Sequence, residues 1–321
     1  MHSPELQVLS PEPQHSELST QDSILTVVGW LWKSATCSVH YKPEHANIWA
    51  RMIHRHLTIP HRFVLITDYV GDQVPSPESR VLSSQHKTRD ARLETRFDPL
   101  ITPIPLWSDW RNLKRLAWGR FKPYCYVRLK AFSEEFGKIL KASQVSRSES
   151  QVRETPDPRP ETRDAAVRFV SIDLDCVVLA NLDCLFDRAE DFLIIRRPAP
   201  RVGAQHAASE YERLGNYQAS MWMMNAGARK KVWEDFKGSE SIAAAARYLG
   251  SDQAWLNHIL PDERGWNADD GVHGFLNLHR ENRWNDTPPP GARIVFFNGT
   301  IKPWEFFHGR TGYPWIVKNY Q

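Results

Sequence analysis

The chain is poor in cysteine: four in 321 residues, with no C-x-x-C pair and no regular spacing. This excludes a disulfide scaffold and a structural zinc cluster. It also has no long apolar run. The longest, residues 24–32, is nine residues and is interrupted by Thr26 and Gly29, half of what a membrane-crossing helix needs. The first residues carry Glu5, Glu12 and Glu17 among several Pro and Ser and lack the basic and apolar regions of a signal peptide, so a cytoplasmic location is expected. Nor does one sign of charge dominate. Lys and Arg number 41 against 38 Asp and Glu, a formal net charge of +3, too small to mark a nucleic-acid binder. What the chain has in excess is tryptophan. Its 13 Trp are about three times the usual share, and taken singly each reads first as a core residue.

Two stretches read as unfolded by composition: a tail over residues 1–22, with three Pro and no apolar periodicity, and a polar, Pro-containing insertion over residues 142–165. The remainder, residues 23–321, reads as one domain interrupted by that insertion. Its ordered parts alternate. Short runs rich in β-formers lie at residues 24–30, 62–67, 168–172, 192–195, 221–224 and 294–297. Helical spacing falls at residues 123–135, 229–236, 241–249, 252–260 and after Pro43. Strands alternating with helices predict an α/β fold with a mainly parallel central sheet flanked by helices, and ligands in such folds gather beyond the carboxyl ends of the strands.

The sharpest local signal is at one such end. The run 168–172 leads directly into Asp173-Leu174-Asp175. In extended backbone, residues i and i+2 share a face, so two carboxylates converge where no apolar partner exists. Hard oxygens in that arrangement suit Mg²⁺ or Mn²⁺. Two enzyme classes use the pattern: nucleotide-sugar glycosyltransferases with D-x-D, and haloacid dehalogenase-type phosphatases with D-x-D-x-[TV], which residues 173–177 satisfy literally. A phosphatase motif opens its domain, whereas this one follows an earlier β-α-β unit. The later carboxylate pair a phosphatase requires has only Asp269-Asp270 to offer. The transferase reading is the better one.

With these residues in view, the chain resembles the glycogenin-like (family eight) glycosyltransferases and related bacterial and phage proteins. The resemblance rests on four landmarks in order: a first strand with a basic loop and a Tyr, then IDLDCVV, GSDQAWL and FFNGTIKPWE. It implies a GT-A fold, a nucleotide-sugar donor (often UDP-linked), a divalent metal and retention of anomeric configuration. Under it, Asp173 and Asp175 bind the metal, Asp252 holds donor-sugar hydroxyls, Gln253 lies near the anomeric carbon and Gln218 contacts the sugar. Each has a plainer reading too; Asp252, for instance, stands at a helix start where the dipole favours an acid. Lys33 and Tyr41 offer hydrogen bonds and a flat surface to a nucleotide base, and Asp68 ends the second strand where a base or ribose hydroxyl would lie. Lys302 suits a diphosphate, with Gly299 allowing close backbone approach.

The chain departs from the family at one position. A His is usual three residues before this Gly as third metal ligand, and here Phe296 stands there. Asn298 and His308 are the substitutes. This departure motivates an alternative, a catalytically weak sugar-nucleotide or glycan-binding protein of the same fold, with the phosphatase third. The expected partners are a nucleotide-diphosphate sugar and an acceptor that is a glycan, lipid-linked or protein. Residues 111–130, with seven basic residues and no acid among aromatics, admit peripheral membrane contact and disfavour nucleic acid, because residues 126, 129, 132 and 136 have core-facing helical spacing.

Overall fold

The computed structural model describes residues 24–32, 41–69, 97–107, 124–151, 167–197, 215–260 and 262–321. The tail 1–22 and Lys33 lie outside them. A seven-stranded sheet, β3-β2-β1-β4-β7-β6-β8, organises the chain. Its strands are β1 (Leu25–Leu31), β2 (His61–Thr67), β3 (Ile101–Pro105), β4 (Arg168–Ile172), β6 (Phe192–Arg196), β7 (Tyr217–Asn225) and β8 (Gly265–Trp266). Four of its six pairings are parallel and two, both involving β7, are antiparallel. A smaller sheet joins β5 (Cys176–Val178), β10 (Ile294–Phe296) and β9 (Val272–Gly274), with β10 in the middle.

The β-α-β unit expected at the start is present. Helix Pro43–Arg55 opens with Pro at its first turn, where no N–H is missed. It buries Ala46, Trp49, Met52 and Ile53, and β1 and β2 pair in register from Leu25 with His61 to Leu31 with Thr67. Alternate residues of the large sheet feed two apolar layers. Val27, Leu65, Val170, Met221 and Met223 pack with helix Pro43–Arg55 and the small sheet. Val28, Val64, Phe169, Trp222 and Met224 pack under Tyr126, Phe132 and Phe136 on the other side. Trp49, Trp222 and Trp266 are fully buried, as the core reading of tryptophan expects.

Several boundaries differ from expectation. The helix expected over residues 123–135 is a 3-10 helix, Tyr124–Phe132, followed by an α-helix, Glu134–Gln151. That second helix carries the chain through the first ten residues of the supposedly unfolded insertion. No apolar periodicity announces this extension, and the helix continues from a buried start at Phe136 and Leu140. Residues 152–165 lie outside the described residues. The helices expected at 229–236 and 241–249 shorten to Lys231–Glu234 and Ser239–Ala244. Among the described residues, no helix is long and apolar enough to cross a membrane.

Candidate active site

Asp173 is the first residue beyond β4, and its N–H donates to the carbonyl of Ser220 on β7 at 2.8 Å. Asp175 lies two residues on, immediately before β5, so the two sheets meet at this acidic turn. The antiparallel pairing of β5 with β10 sets Cys176 opposite Phe296. Phe297 N–H then donates to the Asp175 carbonyl at 2.8 Å. The segment from Asn298 to Lys302 is thereby brought beside the carboxylates, although more than a hundred residues separate them in sequence.

Two buried cations face these acids. Arg128, on the 3-10 helix, directs Nη1 to Asp173 Oδ1 at 2.5 Å, Nε to Asp252 Oδ2 at 2.7 Å and Nη2 to the Ala219 carbonyl at 2.6 Å. Its guanidinium thus ties the end of β4 to β7 and to the start of helix Asp252–Ile259. Burial opposes its charge, but Asp252 and Asp173 outweigh it and hold its pKa above the ordinary value. Lys302 places Nζ 2.5 Å from Asp175 Oδ2 and 2.9 Å from the Phe297 carbonyl. The Tyr41 hydroxyl donates to that same Asp175 oxygen at 2.9 Å. Burial, then Asp175 and Asp173, push the Tyr41 phenol well above its usual range.

Among the described residues, the cluster therefore sets three carboxylates (Asp173, Asp175 and Asp252) against two cations. The imbalance shows at Asp173. Burial raises its carboxyl pKa, Arg128 lowers it, and Asp175 and Asp252 raise it again, leaving it at about 6. Among the described residues, no group of three or more His, Cys, Asp or Glu side chains is arranged to hold a metal ion, so a cation here would rest on the two acids of the D-x-D turn and a neutral donor. The ion pairs occupy Oδ1 of Asp173 and Oδ2 of Asp175, which leaves one oxygen of each carboxylate outside them. Asn298 is in place as a neutral oxygen donor. Its Oδ1 lies 2.8 Å from Ser220 Oγ, whose single proton serves either this amide oxygen or the Asp173 carboxylate. Phe296, at the position usual for His, is fully buried in the core. His308 lies instead with Lys42, His45 and Trp304 along a neighbouring cleft.

The other expected site residues are distributed unequally. Asp252 is 5% exposed and turned onto Arg128, so it does not serve as a solvated helix-end acid. Ser251, placed as the N-cap, makes no side-chain capping bond and donates to Asp252 Oδ1 at 3.2 Å. Gln253 follows in the first helical turn, its Nε2 3.5 Å from the Leu249 carbonyl. Gln218 lies on β7 two residues before Ser220, and its buried Nε2 has no hydrogen-bond partner among the described residues. Gly299 has φ +111, a backbone conformation that a side chain strains. Asp68 follows β2 at the carboxyl edge of the sheet, two strands from Asp173. Asp269 and Asp270 are engaged in their own turn, where Asp269 N–H donates to Asn267 and Asp270 accepts from Asn267 N–H. Sequence reasoning missed Arg128 and Ser220. Arg128 lay inside a basic stretch singled out for other reasons, and its placement between apolar Val127 and Leu129 was the available signal.

The sequence matches no family model and no curated protein. Similar solved structures exist. An active-site mutant of LgtC is similar over 92% of this chain and 94% of that one, with TM-score 0.52 and 12% identity. A structure of the galactosyltransferase LgtC with donor and acceptor sugar analogs is similar over 87% and 89%, with TM-score 0.48 and 14% identity. The apo form of the glycosyltransferase GlyE of Streptococcus pneumoniae is similar over 90% of this chain and 58% of that one, with TM-score 0.44 and 12% identity. The likeness to the LgtC mutant establishes the architecture: this chain has a GT-A-type α/β fold.

Proposed function

We propose that the protein is a metal-dependent glycosyltransferase that moves a sugar from a nucleotide-diphosphate donor, UDP-linked, to an acceptor with retention of configuration. One observation carries this reading: three carboxylates face two cations at the carboxyl edge of a GT-A-type sheet, a net negative charge that attracts a divalent cation, which in turn attracts a diphosphate. Asp173, Asp175 and Asn298 would hold Mn²⁺ or Mg²⁺. The ion, when bound, acts as a Lewis acid that stabilises the charge of the departing diphosphate.

The chain's own residues do the rest. Lys302 adds a positive charge toward the diphosphate. Arg128 fixes Asp252 and Asp173 relative to each other, and a sugar hydroxyl would share Asp252 Oδ1 with Ser251. The orphaned Nε2 of Gln218 supplies a donor that a sugar hydroxyl would satisfy, which matters because an unpaired buried amide costs about 1–3 kcal/mol. Gln253, adjacent to Asp252, brings an amide oxygen to the side of the anomeric carbon, where positive charge develops. Asp68, at the carboxyl edge two strands away, is assigned to the base and ribose end of the same donor, whereas Tyr41, expected there, donates to Asp175 Oδ2 at the acidic turn.

A thermal-shift panel of nucleoside diphosphates, with and without Mn²⁺, tests the reading, since a ligand that binds the native state raises its apparent stability. UDP with Mn²⁺ is expected to raise the melting temperature more than either alone. No shift with any nucleoside diphosphate would refute it. The substitution of a buried Phe296 for the usual imidazole supports a second reading, a sugar-nucleotide binder with little turnover. Slow release of free sugar from the donor separates the enzyme from the binder.

A further inference from the structure

We propose that the cleft between helix Pro43–Arg55 and the C-terminal segment is a second binding site, for a saccharide that carries a negative charge. In a working transferase it would hold the non-reacting part of the acceptor. That role rests on the glycosyltransferase reading above; the binding site does not. The cleft measures about 550 Å³, inside the roughly 300–1,000 Å³ range of small-molecule sites. Its lining runs along the helix from Lys42 to Arg51, about 13 Å, and includes Trp304 and Phe307 of the 3-10 helix Pro303–His308. That is long enough for more than one sugar ring.

Three features give the cleft its chemistry. The first is an oriented donor. His45 is 9% exposed, its ring is stacked on Trp304 at 3.9 Å, and its Nδ1 accepts from Lys42 N–H at 3.1 Å. The neutral ring therefore carries its proton on Nε2, and among the described residues nothing accepts it. A ligand oxygen would. The second feature is charge. Lys42 and Arg51 stand at the two ends of the helical side, and Glu44 is the one acid among the described lining residues. Arg51 donates Nε to the Asn47 carbonyl at 3.3 Å and lies 3.7 Å from Asp98, while its two terminal nitrogens have no hydrogen-bond partner among the described residues. The third is an apolar wall. Phe307 is 47% exposed and tilted beside Tyr320 at 5.9 Å, and packing it against the C–H face of a sugar removes apolar area from water. Donor, cations and ring together match a ligand with hydroxyls, a negative charge and an apolar face, which is an acidic sugar. The cleft also adjoins the acidic turn. Tyr41, whose hydroxyl donates to Asp175, packs edge-on against Trp304 at 5.3 Å.

The test is titration of the full chain with glucuronic acid and glucose-6-phosphate, against methyl glucoside and inorganic phosphate. Binding is followed at the His45 ring by nitrogen NMR, with His45→Phe identifying the signal. Both acidic sugars should shift the Nε2 resonance saturably, and methyl glucoside should bind about 10-fold or more weakly, the loss expected for one charge-assisted hydrogen bond. Arg51→Gln should weaken the acidic sugars about 10-fold and leave methyl glucoside unchanged. Phe307→Ala should weaken all three sugars and leave phosphate unchanged; both side chains are exposed, so neither variant threatens the fold. A response to one acidic sugar alone supports the site and identifies its anion as carboxylate or phosphate. If neither acidic sugar moves the His45 signal, the proposal is wrong. It is equally wrong if phosphate binds as tightly as the sugars and Phe307→Ala changes nothing, since the cleft is then a bare anion patch. The thermal shift with UDP and Mn²⁺ on the same samples keeps the two readings apart. A UDP shift without sugar binding strikes the cleft alone, whereas sugar binding without a UDP shift leaves the site and removes its acceptor role.

Discussion

Arg128 and Asp252, 124 positions apart in the chain, meet at 2.7 Å beneath the carboxyl edge of the sheet, and the same guanidinium reaches Asp173 at 2.5 Å. One buried side chain therefore sets the relative positions of the first acid of the D-x-D turn and the acid that opens helix Asp252–Ile259. A fork of this shape suits arginine and no other residue, because its donors are held in one plane. It also makes the site part of the stability of the fold.

Replacing Arg128 with Met leaves buried Asp252 and half-buried Asp173 without their counter-charge. Breaking a buried pair by removing one partner costs about 3–5 kcal/mol, and a loss of that size is expected in urea denaturation. Arg128→Lys should recover only part of it, since an ammonium cannot bridge both acids and the Ala219 carbonyl. A Met variant as stable as the original would show that the site has no such structural role.

Gly29 stands in the middle of β1, where helix Pro43–Arg55 lies on the sheet. A Cβ there would come 2.9 Å from Trp49 Cη2 and 3.1 Å from Leu65 Cδ1. Both neighbours are packed in the core. Gly29→Ala should therefore cost about 1–3 kcal/mol, the usual range for overpacking, with no change in secondary structure by circular dichroism. An unchanged denaturation midpoint would mean that the helix can lift from the sheet freely.

His45 gives the fold a pH dependence. Its ring stacks on Trp304 at 3.9 Å and its Nδ1 accepts from Lys42 N–H at 3.1 Å, which requires the neutral form. Burial, reinforced by Lys42 and His308 and opposed by Glu44, lowers its pKa from 6.5 to about 4. Between those values the unfolded chain binds more protons than the folded one. The contribution is thus present above about pH 6.5 and is lost as pH falls toward 4. The melting temperature of the unaltered protein, relative to His45→Phe, should drop between about pH 7 and pH 4.5. A constant difference would contradict the assignment.

The principal strands were legible because β-branched and aromatic runs bounded by turns have few other readings, and the D-x-D acids stood out because they directly follow such a run. Residues 173–175 form a bend between β4 and β5 rather than extended strand, so the i, i+2 rule does not itself place them. The strands β5, β9 and β10 are three residues each. Of these, only the apolar run at β10 announced itself. Yet their pairing is what carries Lys302 to Asp175. The inward turn of Arg128 was obscured by its place in a basic stretch, where its apolar neighbours Val127 and Leu129 were the one signal and Lys130, two residues on, is buried as well without reaching Asp173 or Asp252. Asn298 and Phe296 were both in view, and it took the β5–β10 register to seal Phe296 in the core while Asn298 reached Ser220.

The most direct measurement is release of free sugar from a UDP-sugar, followed with Mn²⁺ present and after its removal by chelation, for the unaltered protein and for Asp173→Asn and Asp175→Asn. Metal-dependent release that falls about 10²-fold or more in each variant, as loss of a charge-stabilising group predicts, with the fold intact by circular dichroism, is the expected result. Release that is indifferent to Mn²⁺, or near-native in either variant, would contradict the assignment of these two carboxylates as the centre of a metal-dependent glycosyltransferase.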